Sequence, residues 1–293
     1  MEEIKAPFTV KDYIRASFSL ELPENAPQTR VKPRVSGILD CARLQGYSMS
    51  NTPRSNPEEE NFGRNHQNVT NEIHREAEDV SVAIIQELGY IVADRQIELS
   101  EDYPLTGHPD GRLVRKDDAY WNYNDPEDKR VYYTDGKLED GLVWGFEHKV
   151  IGYLRFVDIF RDGLFKAKPE YIAQSLLYGD ALGWDAVLFV VLADDAAATK
   201  GQRTKNAKQP WASREDWNPK VQLIPVDLRP LKPLVPLLHK RAEGIAAAIA
   251  QGKLIQREHS GTKVFPCGYC DWQDRCNIDG NDGVEVEKGP FIH

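Results

Sequence analysis

An eight-residue run in the middle of the chain, Val143-Trp-Gly-Phe-Glu-His-Lys-Val150, constrains the fold more than any other stretch. Its apolar and aromatic residues predict one buried strand. Because side chains alternate across a strand, Glu147 and Lys149 point to one face, and Phe146 and His148 point to the other. A carboxylate and an ammonium are costly beside a core unless each has a partner or a chemical role. The run therefore predicts charged side chains with a function at the centre of the fold.

Two flanking segments carry side chains of matching chemistry. Upstream, Thr106-Gly-His-Pro-Asp-Gly-Arg112 places Asp110 in a turn bounded by proline and glycine. Downstream, residues 169–180 predict a helix on which Gln174 and Tyr178, at i and i+4, share one face. The order of Pro-Asp, Glu-x-Lys and Gln-x3-Tyr resembles the PD-(D/E)XK nuclease superfamily, in particular its RecB-like exonuclease branch. That resemblance implies an α/β fold with a restriction-endonuclease-like core, in which helices flank a central mixed sheet.

The resemblance also implies a metal site. Phosphodiester hydrolysis needs a nucleophilic water and positive charge on the phosphate, and divalent metals held by carboxylates supply both. The family pattern assigns Asp110 and Glu147 as ligands of Mg²⁺ or Mn²⁺, and the backbone carbonyl of His148 as a further ligand. It assigns Lys149, on the same face as Glu147, as the catalytic cation.

Further site residues follow from the same resemblance. In RecB-like families a histidine on the helix before the Pro-Asp motif completes the metal site. His74 matches in position and context, with Glu78 one turn later as its rival. Gln174 would position the lysine or a strand phosphate, and Tyr178 would donate a hydrogen bond to the nucleic acid. Each of these side chains also has an ordinary interpretation, as a surface histidine or as a helix face packed on the sheet.

The chain departs from the family pattern at two points. Residues 115–142 insert a polar segment between Asp110 and Glu147, and the middle residue of Glu-x-Lys is His148 rather than an aliphatic residue. The insertion carries the aromatic residues Tyr120, Trp121, Tyr123, Tyr132 and Tyr133. We expect a hairpin that covers its own rings, because aromatic side chains usually serve packing. Stacking on bases is the alternative.

The chain has four cysteines. Cys41 lies before the predicted core in the sequence, and Cys267, Cys270 and Cys276 lie after it. Two CxxC knuckles, the common structural zinc arrangement, are absent. The order resembles the iron–sulfur arrangement of CRISPR-associated RecB-like exonucleases and of AddB-type helicase-nucleases, and four thiolates suit a 4Fe–4S cluster. Zinc and unliganded thiols are the alternatives. A cluster would pin the N-terminal helix to the C-terminal segment and add to the folding energy.

Charge limits the kind of partner. The formal charge of −9, from 37 basic and 46 acidic residues, argues against binding duplex DNA over the whole surface, but allows a site whose metals supply positive charge. Residues 194–220 are basic, with interleaved tryptophans, which suits single-stranded nucleic acid or else a solvated loop. The candidate contacts are Lys200, Arg203, Lys205, Lys208 and Trp211. With no long apolar run and no leader pattern, we expect a soluble, cytoplasmic protein without membrane partners.

The succession of elements predicts one nuclease domain over residues 36–280, with an N-terminal arm (1–35) and a poorly ordered acidic tail (281–293). Residues 36–60 and 255–280 would form an iron–sulfur lobe. Predicted helices cover 37–47, 69–88, 169–183 and 233–256, and predicted strands cover 90–99, 184–193 and 221–227. In the 69–88 helix, the apolar stripe of Val69, Ile73, Ala77, Val80, Ile84 and Leu88 is expected to face the core.

These features predict a metal-dependent DNA exonuclease that acts on single strands or DNA ends in recombination, replication or repair. Within the same class, the alternative is a nuclease that trims spacer precursors in CRISPR adaptation. The alternative from another class is a non-catalytic DNA-binding or assembly subunit with a nuclease fold. Every catalytic side chain of the family pattern is present, which favours an enzyme.

Overall fold

A mixed five-stranded sheet organises the part of the chain that the computed structural model describes, which is residues 32–50, 52, 74–121, 130–194, 206, 208–213, 218–259, 267, 270 and 272–290. The strands are β1 (Tyr90–Ala93), β2 (Gly111–Arg115), β3 (Ala119–Trp121), β4 (Val131–Tyr133), β5 (Trp144–Gly152), β6 (Ala186–Asp194) and β7 (Val221–Asp227). The order in the main sheet is β1-β2-β5-β6-β7, and β3 pairs with β4 in a separate hairpin.

Helices flank this sheet on both faces. They are α1 (Ala42–Met49), α2 (74–87), α3 (Tyr153–Asp162), α4 (Leu164–Ala167), α5 (Pro169–Leu182), α6 (Val235–Ala250) and α7 (Gln273–Ile278), with 3₁₀ turns at Val35–Gly37, Lys116–Asp118, Pro210–Ser213 and Arg229–Leu234. Helix α2 packs on one face, and α3, α5 and α6 build the larger core on the other. The predicted α/β class with a mixed, helix-flanked sheet is confirmed. None of the described helices has the length and apolar character of a membrane span.

Strand β5 lies at the centre of the sheet and extends beyond one of its neighbours. It pairs in parallel with β6 along its whole length, from Trp144 to Gly152, and α3, α4 and α5 form the crossover that a parallel pair requires. Its antiparallel pairing with β2 ends where Phe146 lies opposite Gly111. Beyond Phe146, the edge of β5 that faced β2 is released from strand pairing. Asp110, the residue before β2, lies beside this released edge.

Two elements match their predictions closely. Helix α5 ends at Leu182, and Gly183 follows it with a backbone φ of 72°, in the left-handed region that glycine adopts at helix ends. Strand β7 covers the predicted residues 221–227. Both are bounded by strong local signals, a glycine after the helix and an apolar run for the strand.

The first sheet strand is shorter than predicted. The expected strand over 90–99 ends at Ala93, because the chain turns at Asp94–Gln96. Asp94 and Gln96 have φ values of 53° and 52°, which are uncommon for residues other than glycine. An apolar alternation resumes at Ile97 and Leu99 after this turn, but the strand does not.

The predicted helix over 37–47 was wrong in its start. A 3₁₀ turn covers Val35–Gly37 and α1 begins only at Ala42, so that Cys41 is the residue before the helix. The cause lies in the last part of the expected N-terminal arm. Val35 is fully buried, and its N–H donates a 2.9 Å hydrogen bond to the carbonyl of Thr106. This contact holds the chain in a turn before α1; residues 1–31 lie outside the described residues.

Helix α2 turns a different face to the core than predicted. Val80, Ile84 and Leu88 are 59%, 57% and 66% exposed. The face on the sheet carries Val82 and Ile85, which pack against Val92, Leu113, Phe146 and Val190. The predicted stripe is therefore wrong for its last three members, and Val69 and Ile73 lie outside the described residues.

The acidic C-terminal segment is packed rather than poorly ordered over its described part. Val284 forms a parallel bridge with Ile255, and its N–H donates to the carbonyl of Leu254 at 2.8 Å. The fully buried Arg241 on α6 donates to the carbonyl of Glu287 at 2.8 Å. A buried guanidinium needs such acceptors, and this need explains why the segment docks despite its composition. Residues 291–293 lie outside the described residues.

The 115–142 insertion forms the expected hairpin. Strands β3 and β4 place the rings of Tyr120 and Tyr132 in a cross-strand stack, with centroids 5.7 Å apart. Tyr133 packs inward and donates a 2.6 Å hydrogen bond to Asp94. Two of the aromatic residues therefore stack on each other and a third packs inward, while Trp121 remains 39% exposed. Residues 122–129, which include Tyr123, lie outside the described residues.

Candidate active site

Asp110 reaches the released edge of β5 from the turn that precedes β2. Its Oδ2 accepts a 2.7 Å hydrogen bond from the backbone N–H of His148. The next residue, Gly111, has a φ of 150°, and a Cβ at this position would lie 2.8 Å from the carbonyl oxygen of Ala93. Glycine is therefore required for the close approach that leads the chain from Asp110 into β2.

Glu147 and Lys149 share one face of β5, as the alternation predicts. Lys149 Nζ lies 2.6 Å from Oε2 of Glu147 and 3.6 Å from Oδ2 of Asp110. The ammonium thus contacts both carboxylates. Glu147 is fully buried, and the side chains of Lys149 and Asp110 are 16% and 15% exposed. The three charged residues singled out in the sequence form one cluster that retains access to solvent.

Burial and mutual charge shift the pKa values within this cluster. Burial raises the pKa of Glu147 to about 7; Lys149 opposes this rise and the charge of Asp110 adds to it. Burial alone would lower the pKa of Lys149, but the carboxylates of Glu147 and Asp110 outweigh it and hold the pKa above its usual value. Lys149 is therefore a cation at neutral pH and acts as a hydrogen-bond donor. A second positive charge beside Glu147 would favour its ionised form.

One oxygen of Glu147 lacks a donor. Oε2 accepts hydrogen bonds from Lys149 and, at 3.3 Å, from Nε2 of Gln174 on α5. Oε1 is buried and has no hydrogen-bond partner among the described residues. A buried polar atom in this condition costs free energy unless something else binds it. This orphaned oxygen is the atom of the cluster that is most available to bind a cation.

Tyr178 lies one helical turn after Gln174 and supports the turn that carries Asp110. Its hydroxyl donates a 3.2 Å hydrogen bond to the carbonyl of His108. A Cβ on Gly107 would lie 2.8 Å from the same hydroxyl oxygen, so the turn sits tightly against the ring. Tyr178 is only 2% exposed. The i, i+4 spacing thus brings both helix residues to the site, and the hydroxyl of Tyr178 is directed at the protein backbone.

Helix α2 covers the opposite face of β5 and carries the rival ligands His74 and Glu78. Glu78 is nearly buried and forms a 2.8 Å ion pair with Arg95, which also contacts Asp79 at 2.6 Å. Burial raises the pKa of Glu78, and the hydrogen bond from Arg95 opposes this rise. His74 is half-buried and is the first described residue of α2. Glu78 is thus engaged by Arg95, and the ligand role of His74 stays a prediction.

His148 faces the site through its backbone. In a strand the N–H and C=O of one residue point to the same edge. The N–H of His148 binds Asp110, so its carbonyl also faces the released edge, as the predicted ligand role requires. The imidazole lies on the α2 side, 7% exposed, and burial lowers its pKa to about 4, so the ring is neutral.

The donor chemistry of the cluster fits a divalent cation. Asp110 and Glu147 supply two carboxylates, and Mg²⁺ is usually held by one or two carboxylates and several waters. No three His, Cys, Asp or Glu side chains in the described part of the chain are grouped around one ion position. The His148 carbonyl, water and substrate oxygens would therefore have to complete the coordination.

The four cysteines lie on segments that contact each other. Cys41 precedes α1, Cys276 lies on α7, and the N–H of Cys270 donates to the carbonyl of Cys267 at 3.1 Å. All four are free and half-buried. Arg43 Nη1 lies 3.8 Å from Sγ of Cys276, so the start of α1 is adjacent to α7. Among the described residues, however, no three of the thiols surround one point.

Protein groups hold this junction between α1 and the C-terminal segment. Arg43 is 1% exposed and donates to the carbonyls of Ile255 and Gly280 at 2.6 and 2.7 Å. The rings of Tyr47 and Trp272 stack with centroids 6.4 Å apart. Helix α1 therefore contacts the C-terminal segment through these protein groups, and pinning by a cluster stays a prediction.

Most of the predicted nucleic-acid contacts in residues 194–220 cannot be placed. Lys200, Arg203 and Lys205 lie outside the described residues. Lys208 is described and exposed, and Trp211 belongs to the 3₁₀ turn Pro210–Ser213, its side chain lying outside the description. Binding of single strands by this insertion stays a prediction.

One residue of the site was missed by the sequence motifs. Gln96 Nε2 donates a 3.2 Å hydrogen bond to Oδ1 of Asp110. The available signal is the polar triplet Asp94-Arg95-Gln96, which interrupts the apolar run of the predicted strand. Such a triplet indicates a turn, but the spacing does not show where its side chains point.

Comparison of the chain with protein-family models, with curated proteins and with solved structures finds no match.

Proposed function

We propose that this chain is a metal-dependent deoxyribonuclease of the RecB-like branch of the PD-(D/E)XK superfamily, and that it acts as an exonuclease on single strands or DNA ends. The observation that carries the proposal is the contact of Lys149 with both Asp110 and Glu147 at the released edge of β5. The preference for DNA and the exonuclease mode rest on the order of the motifs in the sequence. The mixed sheet and the flanking helices are compatible with a restriction-endonuclease-like core.

Each member of the cluster has a separable task. Asp110 and Glu147 would hold a divalent cation, which would supply positive charge at the scissile phosphate. Oε1 of Glu147, which has no hydrogen-bond partner in the described part of the chain, offers a ligand atom for it. Lys149, as a cation, donates hydrogen bonds to a phosphate oxygen or to the attacking water, and it takes up no proton in that form. Gln174 holds Glu147, and Tyr178 holds the turn before Asp110, so both position the ligands rather than react.

The proposal is tested by cleavage of end-labelled single- and double-stranded DNA with Mg²⁺ or Mn²⁺. Asp110→Ala, Glu147→Ala and Lys149→Ala should each abolish cleavage, because each removes one member of the charged cluster. The matched control is Asp117→Ala, whose carboxylate is 87% exposed on the 3₁₀ turn after β2; it should cleave like the wild type. Full activity in any of the three variants removes that residue from the mechanism. A wild-type chain that neither cleaves DNA nor binds Mn²⁺ would instead support a non-catalytic DNA-binding subunit.

We propose that Cys41, Cys267, Cys270 and Cys276 bind a 4Fe–4S cluster. Four thiolates suit such a cluster, and the adjacency of Arg43 and Cys276 joins the segments that carry them. Because the described thiols are not gathered around one point, binding would have to draw the segments together, and its energy would then stabilise the junction.

The iron–sulfur proposal is tested on protein purified without oxygen. The chain should be brown, with broad visible absorbance and about four iron and four sulfide per chain, as expected for this cluster type. Cys267→Ser and Cys276→Ser should each lose iron. A colourless chain that contains zinc and is fully active would refute the cluster.

The basic insertion is the proposed contact for single-stranded DNA. Lys205→Glu combined with Lys208→Glu should weaken binding of an oligonucleotide at low salt and change it little at high salt, because such binding rests on phosphate contacts. Fluorescence anisotropy at two salt concentrations measures this. Equal affinity of wild type and variant at low salt would exclude these two lysines from the contact.

A further inference from the structure

The turn at Asp94–Gln96 holds a backbone conformation that its residues do not favour. Asp94 has a φ of 53° and Gln96 a φ of 52°. In this region the Cβ of an ordinary residue approaches a backbone carbonyl, so the conformation persists only where the surrounding structure holds it in place. Two such residues in one three-residue turn beside a charged cluster indicate that the turn places something at the site.

Two neighbours hold the first half of this turn. Asp94 accepts a 2.6 Å hydrogen bond from the hydroxyl of Tyr133 on β4. Arg95 pairs with Glu78 and Asp79 on α2 at 2.8 and 2.6 Å. The turn is therefore tied both to the hairpin and to α2. The guanidinium of Arg95 is directed at α2.

The second half of the turn binds the Pro109–Asp110 link twice. The backbone N–H of Gln96 donates to the carbonyl of Pro109 at 2.9 Å, and the side-chain Nε2 donates to Oδ1 of Asp110 at 3.2 Å. The backbone bond already fixes the path of the two segments. The side-chain amide is thus available for a separate task, which is the orientation of the carboxylate.

We propose that Gln96 is a positioning residue for Asp110 as a metal ligand, an inference that rests on the proposed function. Oδ2 of Asp110 is held by the N–H of His148 and lies 3.6 Å from Lys149. Without a donor on Oδ1 the carboxylate plane can still rotate about its bond to Cβ. The amide of Gln96 stops this rotation, and because it is uncharged it leaves the negative charge of Asp110 available to a cation. Hydrogen-bond partners of ligating carboxylates typically change metal affinity by about 10–100-fold.

The test separates positioning from general stability through two variants of the full chain. Gln96→Gly removes the amide and also relieves the positive φ, so its melting temperature in chelator should equal or exceed that of the wild type. Gln96→Asn keeps an amide and tolerates the left-handed region, but is one methylene too short to reach Asp110. Both should bind Mn²⁺ about 10–100-fold more weakly by calorimetry on metal-free protein. Added Mn²⁺ should restore their DNA cleavage. Gln86→Asn, an exposed glutamine on α2, is the matched control.

The outcomes distinguish the inference from the function beneath it. Weakened Mn²⁺ binding in both variants, with an undiminished melting temperature for Gln96→Gly, supports the positioning role. Wild-type Mn²⁺ affinity in Gln96→Gly overturns it while leaving the metal site intact. A wild-type chain without an Mn²⁺ site that Asp110→Ala removes overturns the proposed function, and the role of Gln96 with it.

Discussion

Replacing Glu147 by glutamine should stabilise the metal-free protein, by an amount that increases with pH. Burial raises the pKa of Glu147 from 4.5 to about 7. Between these two values the folded chain keeps a proton that the unfolded chain has lost. Below pH 4.5 Glu147 is protonated in both states and costs the fold nothing. As the pH rises from 4.5 through 7, the folded state loses stability relative to the unfolded state. Glutamine has no proton to lose and escapes this cost.

The magnitude follows from the distance between the two pKa values. One pKa unit corresponds to about 1.4 kcal/mol, so Glu147 costs about 3 kcal/mol above pH 7, where it ionises in the folded chain, and about 1 kcal/mol near pH 5, where the folded chain must keep a proton that the unfolded chain loses. The free energy of unfolding of Glu147→Gln should exceed that of the wild type by about these amounts, with the larger difference at the higher pH. A variant that gains stability and loses activity is expected where a residue needed for activity destabilises the fold.

The measurement is urea unfolding in chelator at pH 5 and pH 8, with Asp117→Asn as an exposed-carboxylate control. The control should show little difference at either pH. Added Mn²⁺ should stabilise the wild type and not Glu147→Gln, since only the wild type retains both carboxylates. An equal difference between variant and wild type at both pH values, or a destabilised variant at pH 8, would refute the assignment of a costly buried charge to Glu147.

Two further substitutions probe the packing around the site. Gly145→Ala would place a Cβ 2.1 Å from the ring of Trp184, which is 1% exposed and has no room to move away. Thermal unfolding should show a loss of stability of about 1–3 kcal/mol or more. The control is Gly152→Ala, where a Cβ has no described atom within 4 Å; an equal or smaller loss for Gly145→Ala would contradict the clash. Tyr178→Phe removes the hydrogen bond to the carbonyl of His108. It should lower the rate of DNA cleavage about 10-fold and the free energy of unfolding by about 1 kcal/mol. An unchanged cleavage rate would show that the turn before Asp110 does not depend on this hydrogen bond.

The charged cluster could be predicted because it depends on local geometry. Glu147 and Lys149 are two residues apart on a strand, and Gln174 and Tyr178 are four apart on a helix, so each pair must share a face. The motif order then placed Asp110 beside them. Local spacing accounts for the two pairs, and the family resemblance supplied the position of Asp110.

The orientation of α2 could not be predicted from its apolar pattern. Ile84 and Leu88 continue a regular stripe, yet the helix turns Glu78 and Val82 inward. The ion pair of Glu78 with Arg95 joins residues 17 positions apart, and sequence spacing does not reveal such a pair.

The turn at Gln96 and the docking of the C-terminal segment were missed for a related reason. Hydrogen bonds to other elements hold Gln96 at its positive φ. Glu287 supplies a hydrogen-bond acceptor to the buried Arg241. Both depend on partners that are distant in the chain. Composition alone favoured a longer strand in one case and disorder in the other.

The docking of α1 has a consequence for the order in which the molecule is completed. Arg43 and its acceptor Ile255 are 212 positions apart. During synthesis, α1 is therefore exposed long before the segment around Ile255, on which it docks, has been made. Strands β1 to β7 and the turn at Asp110 are all synthesised before the segment around Ile255. Such distant contacts slow folding and leave apolar surface open to aggregation or to chaperones in the interval. Asp110, Glu147 and Lys149 are thus all synthesised before the segment that joins α1 to the C-terminal part of the chain.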